Sequence, residues 1–275
     1  MSTLQPPPPP PPADSDAPPR WPLWLPVAGL AGGLTFGFLG ISVLSGILSA
    51  GGVKDVASSP GLTAAGTVII DVSVVAACLL FAGMVARPRI WHFGLRGAPL
   101  KATAVIAGIG VLAFFLFSLV YSALVRPDEP QKVVDDLGAD TNTLLLVTGA
   151  LVVILVAPVC EELFFRAFLY RVLRLRMAVW LAAGLDGLVF GLVHASSTSL
   201  TALPILAFLG IVFCYVYERT GTLLATIALH ALNNTISYGV ATDNGWIASL
   251  VVGGAVIGGC VVGITRLPRG VPVPT

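Results

Sequence analysis

Two adjacent carboxylates, Glu161 and Glu162, lie with Arg166 inside one of the most apolar stretches of the chain. On a helix, Glu162 and Arg166 are four residues apart, so they share a face and can form an ion pair. Glu161 points about 100° away from Glu162, and the pattern gives it no such partner. A poorly solvated carboxylate beside a second carboxylate suits a general base. The alternative is an ion pair that only locks two helices together.

Two histidines lie in other apolar segments, each four residues from a side chain on the same helix face. Phe190 precedes His194, and His230 precedes Asn234. Imidazole exchanges protons near neutral pH, and its N–H group, like that of an amide, can stabilise a developing oxyanion. The alternatives are a helix-end histidine and an interhelical His–Asn contact worth about 1 kcal/mol. Three separate apolar segments with polar patches favour function, because such groups are costly in hydrocarbon.

The composition indicates that these segments are in a membrane. Of 275 residues, 56% are hydrophobic and 11% are charged, against about 25% charged in soluble domains. The mean hydropathy is +0.92, so the bilayer must solvate much of the surface. A net charge of +1 argues against a nucleic-acid partner. The four cysteines are widely spaced in apolar segments, which indicates neither disulfides nor a zinc ribbon.

Eight apolar segments are each about 20 residues long, the length that a helix needs to cross the hydrocarbon. They are residues 26–50, 62–85, 102–125, 143–173, 177–195, 200–217, 222–240 and 246–264. The predicted fold class is therefore all-α, a polytopic membrane protein with about eight transmembrane helices. Because the residues that could carry chemistry lie in the later segments, the catalytic core is predicted to lie in the last five helices.

Four regions are predicted along the chain. Residues 1–22 form a disordered proline-rich cytoplasmic tail, because the run of prolines favours polyproline II. Residues 23–142 contain the first three helices, 143–240 contain the core helices four to seven, and 241–275 contain the last helix and a short cytoplasmic tail.

The distribution of basic residues predicts the orientation. Connections on one side of the membrane contain Arg20, Arg87, Arg89, Arg96, Lys101, Arg171, Arg174, Arg176, Arg219, Arg266 and Arg269. The other side contains Lys54, Arg126 and Lys132 with an acidic cluster between residues 128 and 140. Because cytoplasmic loops are rich in Lys and Arg, both termini are predicted to be cytoplasmic in a multi-pass protein of the cell membrane.

The depth of the polar groups predicts helix lengths. Counted at about 1.5 Å per residue, Glu161 and His230 lie at similar depth, whereas His194 lies deeper. If residues 171–180 project from the bilayer as a helical hairpin, the three groups can meet. The fourth and fifth helices are therefore predicted to be long, with His194 within about 10 Å of Glu161.

Two further acids lie within the apolar segments. Asp186 could orient His194, pair with Arg166 or serve only in packing. Asp71 is more typical of a helix–helix contact than of a proton carrier.

The motifs Glu161-Glu162-x-x-x-Arg166, Phe190-x-x-x-His194 and His230-x-x-x-Asn234 occur in this order over roughly residues 143–238. Together they resemble the CAAX protease and bacteriocin-processing family of intramembrane endopeptidases, which includes the type II CAAX prenyl endopeptidases. The resemblance implies hydrolysis of a peptide bond at a hydrated, cytoplasm-facing site. The substrate would be a peptide or protein presented in or at the membrane.

The resemblance also implies roles. Glu161 acts with His194 to activate a water, and His230 with Asn234 stabilises the oxyanion. Glu162 and Arg166 hold the helix in register and tune Glu161.

The family is labelled a metalloprotease, but the chain has no H-E-x-x-H helix, the usual zinc motif. A single zinc ion held by Glu161, His194 and His230 is therefore the alternative to a metal-free mechanism, and no other cofactor is implied.

Two other function classes stay open. One is a proton-coupled transporter or channel that uses Asp71, Asp186 and Glu161 together. The other is a catalytically silent scaffold or immunity protein of the same fold.

Overall fold

Helices make up most of the structure, a computed structural model that describes residues 19–87, 89–127 and 133–269. The described residues contain no strand, which confirms the all-α prediction. The eight long helices are α1 Trp24–Ala50, α2 Pro60–Val85, α3 Leu100–Val125, α4 Thr143–Arg174, α5 Val179–Val193, α6 Leu203–Thr220, α7 Leu223–Ala241 and α8 Trp246–Arg266. Short helical turns at Val56–Ser58, Ile90–Phe93 and Val133–Asp136 lie in the connections. Each apolar segment of the sequence corresponds to one long helix.

Within the described chain, six of these helices are long and apolar enough to cross a membrane: α1, α2, α3, α4, α6 and α8. Helix α5 is shorter, and α7 carries the polar His230, Asn233 and Asn234. Large apolar side chains such as Phe36, Leu119 and Ile247 are exposed on the outer helices, as expected of surfaces that face lipid. The protein is thus a multi-pass membrane protein, and the number of eight crossings stays a prediction.

The prediction of two long core helices is right for α4 and wrong for α5. Helix α4 has 32 residues, whereas α5 has 15 and ends immediately before His194. Glu161 and His194 nonetheless lie at similar depth in the membrane, because α4 continues to Arg174 before the chain turns. Glu161 lies about 20 Å from Arg174, and His194 about 22 Å from the start of α5. No projecting extension of α5 is needed to bring the two groups together.

Small residues let the first two helices pack closely. A Cβ at Gly33 of α1 would lie 2.3 Å from the Cα of Val74 in α2, so only glycine permits this approach. Helix α2 in turn packs on α4. The first helical pair is therefore held against the core helix, while α7 and α8 pack on its other sides and α3 packs mainly on α6.

An aromatic cluster joins the start of the described chain to α4. Trp21 is buried and stacks on Phe93 and Phe168, at ring-centroid distances of 5.4 Å and 4.9 Å. The central carbon of the Arg171 guanidinium lies 4.9 Å from the ring centroid of Trp21, as in a cation–π contact. Packing thus begins within the last residues assigned to the proline-rich tail, whose residues 1–18 lie outside the described part of the chain.

A glycine sets the distance between α5 and α6. A Cβ at Gly187 would lie 2.5 Å from the carbonyl oxygen of Ala207, whereas a Cβ at Gly184 would meet nothing within 4 Å. We expect Gly187→Ala to destabilise the protein by about 1–3 kcal/mol through overpacking, and Gly184→Ala to be neutral. The measurement is the thermal unfolding midpoint in detergent, and equal midpoints for the two variants would contradict the packing argument.

Candidate active site

Helix α4 is widened on both sides of its two glutamates. π-Helical turns at Val152–Val156 and Leu163–Tyr170 flank the segment Ala157–Glu162, which contains Pro158 near its start. Proline lacks a backbone N–H, and wide turns of this kind are frequent at functional sites. The amide of Asn234 on α7 donates to the carbonyl oxygen of Val153 at 2.8 Å. A polar side chain on α7 therefore satisfies a carbonyl of the widened helix.

Glu162 is at the centre of a buried polar network. Its Oε1 atom accepts a hydrogen bond from Arg166 Nη1 at 3.0 Å and lies 2.9 Å from His230 Nδ1. Glu162 and Arg166 are fully buried, and His230 is nearly so. The pairing of Glu162 with Arg166 on one helix face is therefore present, and it extends to the histidine of α7.

The guanidinium of Arg166 is enclosed by aromatic rings and backbone. Its Nη2 donates to the carbonyl oxygen of Gly210 on α6 at 3.1 Å. Its central carbon lies 5.0 Å from the ring centroid of Phe190 and 4.8 Å from that of Phe213. A buried charge needs such partners to offset its desolvation. Arg166 thereby connects α4, α5 and α6.

The structure decides among the alternatives for Asp186. Its Oδ1 lies 3.9 Å from Arg166 Nε and accepts a hydrogen bond from Cys214 Sγ at 3.1 Å. Asp186 is fully buried. It lies beside Arg166, so it supplies a second carboxylate to the same guanidinium from helix α5.

Glu161 lies in different surroundings from Glu162. Its Oε2 atom is 3.9 Å from Nε2 of His194 and 3.9 Å from Nε2 of His230. The side chains of Glu161 and His194 are each 20% exposed, whereas Glu162 is enclosed. Three helices thus bring one reachable carboxylate and two imidazoles together, and His194 lies well within the predicted limit of about 10 Å.

Hydrogen-bond partners assign the protons of both imidazoles. His194 Nδ1 lies 2.7 Å from the carbonyl oxygen of Phe190. A carbonyl oxygen only accepts, so Nδ1 carries the proton. By the same reasoning, the carboxylate of Glu162 places a proton on Nδ1 of His230. In the tautomer with the proton on Nδ1, each ring therefore presents the lone pair of Nε2 to Glu161.

The separation of 3.9 Å between Glu161 Oε2 and each Nε2 atom exceeds a direct hydrogen bond. Carboxylate oxygen and unprotonated imidazole nitrogen are both acceptors, so they would not bond to each other directly. A water that donates one hydrogen to each is of suitable size for this separation. The geometry thus suits the binding of a small hydroxylic group between Glu161 and His194.

Asn234 is on the same helix face as His230 but makes different contacts. Besides the bond to Val153, its Oδ1 accepts from Asn233 Nδ2 at 3.1 Å. The carboxamide has two N–H groups, so one donor is left for another partner. An oxyanion-binding role for Asn234 stays a prediction.

The zinc alternative gains no support from the geometry. Across the described residues, no three His, Cys, Asp or Glu side chains form a group that could hold a metal ion. His230 also directs its Nδ1 to Glu162 at 2.9 Å. The predicted ligands Glu161, His194 and His230 are neighbours, but they do not fit a metal site in this arrangement.

Two contacts of the network have no signal in the sequence. The carbonyl oxygens of Gly210 and Val153 bind Arg166 and Asn234, respectively. Every residue has a carbonyl group, so composition and spacing cannot identify the ones that are used. Only the positions of α4, α6 and α7 relative to one another identify them.

Comparisons with known proteins match the part of the chain that contains the candidate site. Residues 143–236 match the family model described as type II CAAX prenyl endopeptidase Rce1-like. An Escherichia coli protein described as an uncharacterized 24.3 kDa protein is 28% identical over 149 residues, which cover 50% of this chain and 68% of that protein. No solved structure gives a significant match. Over residues 143–236 the chain is therefore similar to the type II CAAX prenyl endopeptidases, and its resemblance to the CAAX protease and bacteriocin-processing family is confirmed there.

Proposed function

We propose that this protein is an intramembrane endopeptidase that hydrolyses a peptide bond with a water activated by Glu161. The family similarity implies a protease. The observation that carries the mechanism is the position of Glu161 Oε2, which lies 3.9 Å from both His194 and His230. Three helices supply these groups, and the side chain of Glu161 is 20% exposed while its Oε2 atom is buried, so water enters from the exposed part of the side chain.

The first step is the attack of water on the substrate carbonyl. A water that donates to Glu161 Oε2 and His194 Nε2 directs its lone pairs away from both acceptors. As the new C–O bond forms, Glu161 takes one proton from the water. The bond from His194 Nδ1 to Phe190 holds the imidazole in the required tautomer.

The second step is the breakdown of the tetrahedral intermediate. Glu161 returns its proton to the amide nitrogen, the C–N bond breaks, and a carboxylic acid and an amine leave. In a protein that enters the cycle with His230 already protonated on both nitrogens, Nε2 donates to the oxyanion and keeps its proton throughout, and the carboxylate of Glu162 at 2.9 Å stabilises the positive charge. The remaining N–H of Asn234 is the second candidate donor.

Glu162 and Arg166 support this chemistry without contact to the substrate. Glu162 bonds to both Arg166 and His230, so it fixes the imidazole of His230 relative to α4. Arg166 neutralises Glu162, which leaves Glu161 as the carboxylate available to water. Catalytic groups held by buried partners lose less entropy on the way to the transition state.

The substrate is proposed to be a peptide or protein segment that reaches the site from the membrane. Glu161 lies about 15 Å from Arg171, at the end of α4 that is rich in arginine. By the distribution of basic residues, that end and both termini are cytoplasmic. The proposed site therefore opens to the cytoplasm at the cell membrane.

The test is comparative proteomics of membrane fractions from cells with the wild-type protein or with Glu161→Ala. New peptide termini should appear only with the wild type. Identical termini in both samples, with an unchanged cellular phenotype, would favour a catalytically silent scaffold. Proton flux in proteoliposomes without cleavage would favour the transporter alternative.

A further inference from the structure

Helix α2 contains one charged residue, Asp71, and that carboxylate lacks a partner. Its Oδ2 atom is buried and has no hydrogen bond to any described residue. Asp71 lies 11 residues into a helix of 26, so it is near the middle of a predicted span. A buried carboxyl group without partners is costly in a membrane helix, and this cost calls for a reason other than packing.

Asp71 is on a helix that packs against the segment Ala157–Glu162 of α4. Its side chain interacts electrostatically with Glu161 and Cys160 of α4. Val68, three residues earlier in α2, packs against a buried cluster that includes Val152 of α4. Helix α1, the other long neighbour of α2, contains no titratable side chain. The charged group that acts on Asp71 is thus Glu161.

The surroundings of Asp71 differ from those of a polar residue that joins two membrane helices. A polar side chain that joins two membrane helices does so through a hydrogen bond, and Asp71 makes none to a described residue. Thr67, one turn earlier, bonds to the backbone of its own helix through the carbonyl oxygen of Thr63 at 3.0 Å. Thr63 and Thr67 are therefore satisfied by the backbone of their own chain segment, whereas the Oδ2 atom of Asp71 has no such bond.

Water is the group that can satisfy Asp71. Buried polar atoms without a protein partner are commonly bound by ordered water. Glu161 Oε2 is a second buried oxygen without a hydrogen-bond partner. Hydrolysis consumes one water per turnover, and hydrocarbon around the helices supplies none. Two unpaired carboxyl groups on neighbouring helices would retain water where the reaction needs it.

We propose that Asp71 is a positioning residue that holds water beside Glu161 for the hydrolytic reaction. This role rests on the proposed function, because a site without hydrolysis has no use for a retained water. Asp71 acts through that water and does not contact the peptide. The carboxyl group is kept despite a cost in stability, as is common for functional groups.

The kinetic test compares Asp71→Leu, Asp71→Asn and the control Thr67→Val on a peptide that spans a cleavage site found by the proteomic comparison. We expect Asp71→Leu to lower kcat at least tenfold and to leave KM within twofold. Asp71→Asn retains a group that binds water, so it should keep at least a third of the wild-type kcat. Thr67→Val should match the wild type. Wild-type kcat in Asp71→Leu would overturn the proposal.

Stability separates this role from packing. The thermal midpoint of Asp71→Leu in detergent should equal or exceed that of the wild type, because the variant removes an unsatisfied group. If Asp71 were a helix–helix contact, the midpoint and the activity would fall together, and that result would also overturn the proposal.

Hydration can be measured without any activity. Hydroxyl-radical footprinting should modify Cys160, the neighbour of Glu161, at least threefold less in Asp71→Leu than in the wild type or in Thr67→Val. Equal modification in all three would refute the water-holding role. Absence of cleavage by the wild type would refute the proposed function instead, and the footprinting result would still report on the water.

Discussion

Glu161→Gln is expected to lower kcat for peptide hydrolysis by about 10²–10⁴-fold, the range for loss of a general base. Glutamine keeps the shape of glutamate but cannot take a proton from water. The midpoint of thermal unfolding should stay near that of the wild type, because Glu161 Oε2 has no hydrogen-bond partner to lose. Measurement of kcat and KM on a cleavable peptide in detergent checks the result.

The matched control for this variant is Glu218→Gln. Glu218 is on α6. It accepts hydrogen bonds from Tyr170 at 2.8 Å and Arg174 at 2.9 Å, and both partners are nearer the end of α4 than Glu161 is. The same chemical change there should leave kcat within a few fold of the wild type. If both variants lose activity equally, or if Glu161→Gln remains fully active, Glu161 is not the base.

Arg166→Met is expected to destabilise the protein by about 3–5 kcal/mol, because it leaves the buried carboxylates of Glu162 and Asp186 without their cation. Loss of activity should accompany this change, since Glu162 also fixes His230. The shift of the thermal unfolding midpoint in detergent measures the loss of stability. Peptide hydrolysis at a temperature below that midpoint measures the loss of activity.

Arg174→Met provides the comparison at a solvated ion pair. Arg174 lies 2.9 Å from Glu218, and their side chains are 30% and 22% exposed. An ion pair in such surroundings contributes about 1 kcal/mol or less. A similar loss of stability in the two variants would show that burial of Arg166 is not what makes it important.

A double variant separates pairing from packing. In Glu162→Gln with Arg166→Met, the guanidinium is removed together with one of the charges that it neutralises. The combined loss of stability should therefore be smaller than the sum of the two single losses. Additive losses would indicate that the two side chains act independently.

Much of the architecture could be predicted from the sequence because the bilayer imposes a simple rule. A helix satisfies its own backbone, so apolar runs of sufficient length must be helices. All eight predicted segments correspond to helices, with ends that differ by a few residues. The helix-face rule also predicted the pair of Glu162 with Arg166, because residues four apart on one helix are neighbours whatever surrounds them.

The length of α5 could not be predicted in the same way. Residues 177–195 are apolar throughout, but the helix stops at Val193 and His194 caps its end. Hydropathy does not distinguish a helix that crosses the bilayer from one that ends inside the protein. The end of α5 carries a local contact that hydropathy does not report: the ring of His194 bonds to the carbonyl oxygen of Phe190, one turn earlier in the same helix, and the chain then turns toward α6.

By itself, the sequence determined which residues are candidates for chemistry, which faces of single helices they share, and that the chain resides in a membrane. These properties depend on residue type and local spacing. The tertiary structure decided that Glu161 is partly exposed while Glu162 is enclosed, that Asp186 lies beside Arg166, and that the helix of Asp71 packs on the segment that contains Glu161. Such outcomes depend on how separate helices pack, and packing between distant segments leaves no periodic signal in any one of them.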